Sequence, residues 1–343
     1  MMCSYDSEIY KNNRRLSLSI FFASVFILFF LAAFRPLGVD ADSLGYKYLV
    51  DNSNLTELTI EPTFMLLSYF FKLVFDEYAY RGVFVFYALL NLYFLVKVIY
   101  DRSCYINVSL ATYFLISYFI LTFTQIRFSI ACSIFILSII DIVDRRFFKF
   151  FIKIAFASLF HFSAVIFIFF YILGSDKFRV SYLFILLVFS FISISFSHVI
   201  LNILLGNISF LPEYFYYKLY AYLNSGNFNS FNPLNSLSVI VIFFSIVFAW
   251  VIVFYDVKFD AFNLTCFKIM VLSVSCFFFF LSFPTLSIRM LNISALMLMY
   301  LVPFILSIVV QKRISLILIM VVFFAYFLNQ NFVNGLIDVS LLL

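Results

Sequence analysis

Charge is scarce in this chain. Lysine, arginine, aspartate and glutamate make up 11% of its 343 residues, 65% are hydrophobic, and the mean hydropathy is +1.11. So little charge cannot clothe a water-soluble surface. Histidine is rarer still, with two in the whole chain. The five cysteines (Cys3, Cys104, Cys132, Cys266, Cys276) have no metal-ligand spacing. No zinc cluster is therefore expected, and the cysteines read as small packing residues. Seven scattered glycines supply no phosphate-cradling loop. The formal charge of +5 is spread over single cations or sits beside apolar runs, which is not the footprint of a nucleic-acid binder. Neither metal nor cofactor is expected.

What is present is one apolar run after another from Leu16 to Leu328. Such a chain can shelter its backbone polar groups only by crossing a bilayer as helices. The fold class is all-α and polytopic, with room for about ten to twelve spans. No separate soluble domain fits, so residues 1–343 are expected to form a single integral membrane domain. Spans are expected at about 16–34, 83–100, 106–124, 127–142, 147–172, 180–201, 236–255, 262–283, 289–310 and 314–330. Pro62 to Phe75 is too short to cross comfortably, and at that length a re-entrant or interfacial helix is the default. Two polar stretches exceed turn length, residues 35–61 and 202–235, and both are expected as outer-face loops.

Lys11, Arg14 and Arg15 precede the first apolar run, which is too long for a secretory h-region and is followed by Arg35-Pro36 where a cleavage site should lie. An uncleaved first span with a cytoplasmic N-terminus is expected. The positive-inside rule then places residues 35–61 and Arg127 outside and Arg145, Arg146, Lys149 and Lys153 inside. Counting back from Lys312-Arg313 places Arg289 outside but conflicts by one crossing with the inner position of Arg145–Lys153. A break near His161 in the long run from Phe147 would restore the count.

Polar groups kept in a membrane carry function by default. The first loop holds Arg35, then Asp40 and Asp42 two residues apart, then Tyr46. A carboxylate here accepts a proton from a hydroxyl or only hydrogen-bonds it, while the structural alternative is a solvated turn. Glu61 precedes Pro62, so it is a helix cap or an acid facing the same pocket. Arg127 joins two apolar runs with almost no loop, and a guanidinium at that depth needs an anion or snorkels to the interface. His161 lies well inside an apolar stretch, as a packing residue or a base. Arg289 repeats the isolated arginine at a span end. The tyrosine-rich second loop, with Tyr217 at its centre, reads as an interfacial belt or as stacking faces for sugar rings.

Taken in order, Phe34-Arg35-Pro36-Leu37-Gly38-Val39-Asp40-Ala41-Asp42 with Tyr46, Ile60-Glu61-Pro62-Thr63-Phe64, Ile126-Arg127-Phe128-Ser129-Ile130-Ala131 and Phe160-His161-Phe162-Ser163-Ala164 resemble the EpsG-like branch of the Wzy polysaccharide polymerases. The resemblance spans roughly residues 30–170 with order and spacing preserved. Beyond that it rests on hydropathy and Arg289. Ala41 and Phe128 stand where the family often carries an aromatic residue and a glutamine.

The resemblance implies a metal-independent glycosyltransferase of the bacterial inner membrane, multi-pass, serving O-antigen or exopolysaccharide synthesis. Its substrate would be an undecaprenyl-diphosphate-linked oligosaccharide, joined to another lipid-linked unit at the outer face. A chain-length regulator and a flippase are the implied partners, beside the lipid bilayer. Asp40, Asp42, Glu61 and His161 are the catalytic candidates, and Arg35, Tyr46, Arg127, Tyr217 and Arg289 the substrate-binding ones. A flippase for the same lipid, an O-antigen ligase and an acyltransferase are the rival readings. Internal repeats and paired helix breaks, frequent in transporters, are not evident.

Overall fold

The computed structural model describes residues 14–53, 61–174, 232–254 and 259–341, with positions 188 and 192 isolated between them. Among these residues the architecture is all-α, with one isolated antiparallel bridge between Asp40 and Ile337. The chain runs α1 (Arg14–Ala33), α2 (Ser43–Asp51), α3 (Pro62–Phe75), α4 (Ala79–Arg102), α5 (Ile106–Tyr113), α6 (Ile126–Val143), α7 (Phe147–Phe160), α8 (Ser236–Phe254), α9 (Ala261–Phe279), α10 (Pro284–Ile308) and α11 (Lys312–Leu328). The π-wound stretch Phe114–Thr124 continues α5, and a 3-10 helix follows α7 over Phe162–Gly174. Seven helical stretches among the described residues are long and apolar enough to cross a membrane, counting Pro62–Arg102 as one. The chain is thus a multi-pass membrane protein. The expected span at 180–201 and the loop 202–231, Tyr217 included, lie outside the described residues.

The stretch Pro62–Arg102 is folded back on itself. Asp76 adopts φ 44 and ψ −110 at the end of α3, and a 3-10 turn Asp76–Tyr78 leads into α4. Phe64 packs on Tyr87 (ring centroids 6.0 Å) and Phe71 on Phe86 (6.3 Å), so the two helices are packed side by side. At 14 residues α3 is about 21 Å long, short of the roughly 30 Å hydrocarbon core.

The expected long span 147–172 is likewise two short helices. Phe160 ends α7, His161 turns extended at φ −156 and ψ 116, and the 3-10 helix returns. The return is fixed by Phe167 and Phe170 against Phe135 (4.6 and 5.2 Å) and by Tyr171 against Phe147 (5.1 Å). A break at His161, which would reconcile the charge count, is present. At the far end of this hairpin, buried Asp141 on α6 pairs with Lys153 (2.5 Å) and Arg146 (3.0 Å), and Arg145 donates to the Tyr171 carbonyl (2.9 Å). Those bonds set the register between α6 and α7.

The described fold divides into two compact units, residues 1–172 with 299–343, and residues 173–298. In the first, a buried polar knot ties α4, α5, the π stretch and α6. Asn91 Nδ2 donates to Thr122 Oγ1 (2.5 Å), its Oδ1 accepts from Ser133 Oγ, and Tyr113 OH bonds Thr122. An unmet polar group costs several kcal/mol in a lipid environment, so a satisfied knot pins these helices to each other. In the second unit Asp260 caps α9, its carboxylate accepting from Asn263 N at 3.2 Å. Ser287 and Ser294 of α10 donate to the Phe277 and Met270 carbonyls of α9, both at 2.8 Å.

Candidate functional site

Three helix ends in the first unit deliver three ionisable side chains to one place. Glu61 stands immediately before α3, where Pro62 is pre-set for the first helical position. Its side chain does not cap that helix. One carboxylate oxygen instead takes the Arg127 guanidinium at the start of α6, and the other lies 2.8 Å from Nδ1 of His161 at the end of α7. Thr63 Oγ1 donates to the Leu159 carbonyl (2.7 Å) and so ties the start of α3 to the end of α7.

Accessibility separates the three. The Glu61 side chain is 4% exposed, that of His161 11%, and that of Arg127 22%. Arg127 is therefore the most open member, while the Glu61 carboxylate and both ring nitrogens of His161 are buried behind it. Burial alone would raise the Glu61 carboxyl, but its bond to His161 and the Arg127 charge outweigh that and hold it at about 2. Glu61 is an anion at any physiological pH.

Aromatic rings frame the cluster. The Arg127 guanidinium carbon lies 5.3 Å from the Phe64 ring centre and 5.5 Å from that of Tyr46. The Phe128 ring meets His161 edge-on at 5.6 Å. Burial pushes the Tyr46 hydroxyl up to about 12, so it stays a protonated donor. Tyr87 packs between Phe64 and Phe160 (6.0 and 6.1 Å) beneath them.

Beside this cluster lies a second, sealed pair. Arg35 Nε sits 3.4 Å from Asp40 Oδ1, with both side chains fully buried. The Arg35 guanidinium lies 3.9 Å from the Phe84 ring centre and donates to the Ala32 carbonyl (2.7 Å). Burial lowers its pKa against the opposing pull of Asp40. Asp42, two residues on, is half-buried at the start of α2 and makes no capping bond.

With Asp42 at the start of α2, the sequence candidates fall into five places. Glu61, Arg127, His161 and Tyr46 come together, while Arg35 and Asp40 form the sealed pair. Arg289 is half-buried on α10 in the other unit, and Tyr217 is outside the described residues. Thr63, Phe64, Tyr87 and the segment after α11 were not among the candidates. Thr63 and Phe64 follow Glu61-Pro62 directly, so the helix-start signal extended to them. Among the described residues no three His, Cys, Asp or Glu side chains cluster as metal ligands do.

A bundle of membrane helices whose ends bring a carboxylate, an imidazole and a guanidinium into one cluster defines a polytopic membrane protein with a polar site among its helix ends. The chain belongs to the EpsG family, whose model matches residues 18–337. That membership gives it a polymerase-like role in polysaccharide synthesis at a membrane. No curated protein and no solved structure matches it.

Proposed function

We propose that this protein is a glycosyltransferase that joins undecaprenyl-diphosphate-linked oligosaccharide units at the outer face of the bacterial inner membrane. The observation that carries the proposal is the Glu61 carboxylate held between Arg127 and His161 at the meeting of three helix ends. A transferase using a lipid-diphosphate donor must neutralise a leaving diphosphate and remove one proton from an acceptor hydroxyl. A guanidinium and an imidazole able to do this are both in the cluster, with Arg127 the more open of the two.

In the proposed step the acceptor hydroxyl oxygen bonds to the anomeric carbon of the donor. The bond from that carbon to the diphosphate oxygen breaks, and its electron pair leaves with the diphosphate. His161 takes the hydroxyl proton through Nε2, its Nδ1 held by Glu61, which stabilises the imidazolium as it forms. Arg127 faces the charge that grows on the diphosphate. Tyr46, a protonated hydroxyl next to Arg127, orients the donor. Arg35 and Asp40 support the cluster from behind. Arg289, Tyr217 and Asp42 enter as further substrate contacts on their sequence positions.

Deleting the gene and resolving surface polysaccharide by length on a gel tests this. The proposal requires loss of long polymer with accumulation of single lipid-linked units exposed at the outer face. Units trapped inside would make the protein a flippase, and full-length polymer retained on the carrier would make it a ligase.

A further inference from the structure

The Arg35–Asp40 pair depends on its backbone for its position. Asp40 meets Arg35 at 3.4 Å, and neither of its carboxylate oxygens has a hydrogen-bond donor. Beyond its pairing with Arg35, the position of that buried charge rests on the turn that carries it. Gly38 opens the turn at φ +85, a conformation that favours glycine. Its N–H donates to Ser43 Oγ (2.9 Å), and Ser43 Oγ donates to the Asp40 carbonyl (3.3 Å).

The rest of the hold comes from the far end of the sequence. After α11 a π-wound turn, Asn329–Val333, and Gly335 at φ +66 bring the chain back over residues 38–40. Asp338 N donates to the Val39 carbonyl (2.8 Å), and Asp40 pairs with Ile337 as an isolated antiparallel bridge. Ile337 is buried, and Leu341 Cδ1 lies 3.3 Å from where a Gly38 Cβ would stand. Asp338 Oδ1 accepts from the Ser340 N–H (3.0 Å) and Oγ (2.6 Å), which stiffens the segment.

Building on the function proposed above, we infer that residues 335–341 are a strap that positions the first-loop turn for catalysis, with Ile337 and Asp338 as positioning residues. The route is short. The strap fixes the Gly38–Ser43 turn, Ser43 starts α2, and α2 carries Tyr46 to within 5.5 Å of the Arg127 guanidinium. Arg35 and Tyr46 also share one wall, the Phe84 ring, at 3.9 and 6.3 Å. Loosening the strap lets the turn and Tyr46 drift while the transmembrane helices stay folded.

The experiment uses the full chain in a strain lacking the chromosomal gene. Ile337→Asp puts a charge into the buried slot. It is expected to lower polymer by about a hundredfold, the scale of an ångström-sized misplacement, at normal membrane level. Ile337→Val is expected to keep the ladder. Val39→Cys with Asp338→Cys opposes two thiols across the pairing. Added to Ile337→Asp, this pair should restore polymer when oxidised and lose it again under an impermeant reductant, a response that plain misfolding does not give. A ladder retained by Ile337→Asp overturns the inference, as does loss of the protein from the membrane or a loss of polymer that cross-linking does not repair. Arg127→Glu run alongside separates the two claims. If it keeps the ladder, the site assignment fails; if it loses the ladder while Ile337→Asp does not, only the strap fails.

Discussion

At the scale of single residues Glu61 is central, its two oxygens serving the Arg127 guanidinium and the His161 imidazole. Replacing it with glutamine keeps the shape and removes the charge, so Arg127 and His161 lose their common anchor. Glu61→Gln should abolish long polymer on a length-resolving gel, and His161→Gln should slow polymerisation by about 10²-fold or more, the usual contribution of a general base. The carboxyl also leaves a stability signature. Its folded pKa, about 2, is below the 4.5 of a free side chain, so the stability it adds is fully present above pH 4.5 and is lost as pH falls through 2. In detergent melts the gap between wild type and Glu61→Gln should still be present at pH 4.5, then shrink towards pH 2. A gap that closes near neutrality would mean the carboxylate is not paired. For the sealed pair, Asp40→Asn leaves the buried Arg35 charge uncompensated and should destabilise the protein by about 3–5 kcal/mol in equilibrium unfolding.

At the scale of helices, the proposed site is assembled from helix ends. Glu61 starts α3, Arg127 opens α6 after the π stretch, and His161 breaks a helical hairpin. Much of this was legible. Pro62 marked a helix start, Arg127 lay between two runs with almost no loop, and a break near His161 was one way to reconcile the charge count. The pairing itself was not legible, because Glu61 finds Arg127 66 residues away through the packing of α3, α6 and α7. Sequence offered Glu61 as a cap or a site acid, and the cap reading loses because its side chain turns from its own helix. Nor was the strap legible: Ile337 and Asp338 use backbone pairing, which side-chain chemistry does not announce. The hairpin of α3 on α4 gives the element-scale prediction. A Cβ at Gly82 would meet Phe71 at 2.6 Å, so Gly82→Val should overpack the hairpin by about 1–3 kcal/mol and shift Glu61. Polymer should fall more than the melting temperature suggests, measured as activity per folded protein.

At the scale of the whole molecule, the composition decided the class and the scarce charges marked the chemistry. An all-α multi-pass bundle followed from long apolar runs that leave their backbone only helices to form. The family match over residues 18–337 extends across both compact units, well past the ordered motifs that end near residue 170. The charges have separate roles. The Asp141–Lys153–Arg146 group locks one end of the α6–α7 pair, and Glu61–His161–Arg127 occupies the other. The central claim is that this second group performs glycosyl transfer. Its most direct test is the length profile of polysaccharide from a deletion strain expressing Arg127→Glu at wild-type membrane level. The expected result is no long polymer and a build-up of single lipid-linked units; a normal ladder from that variant would mean that Arg127 takes no part in the transfer.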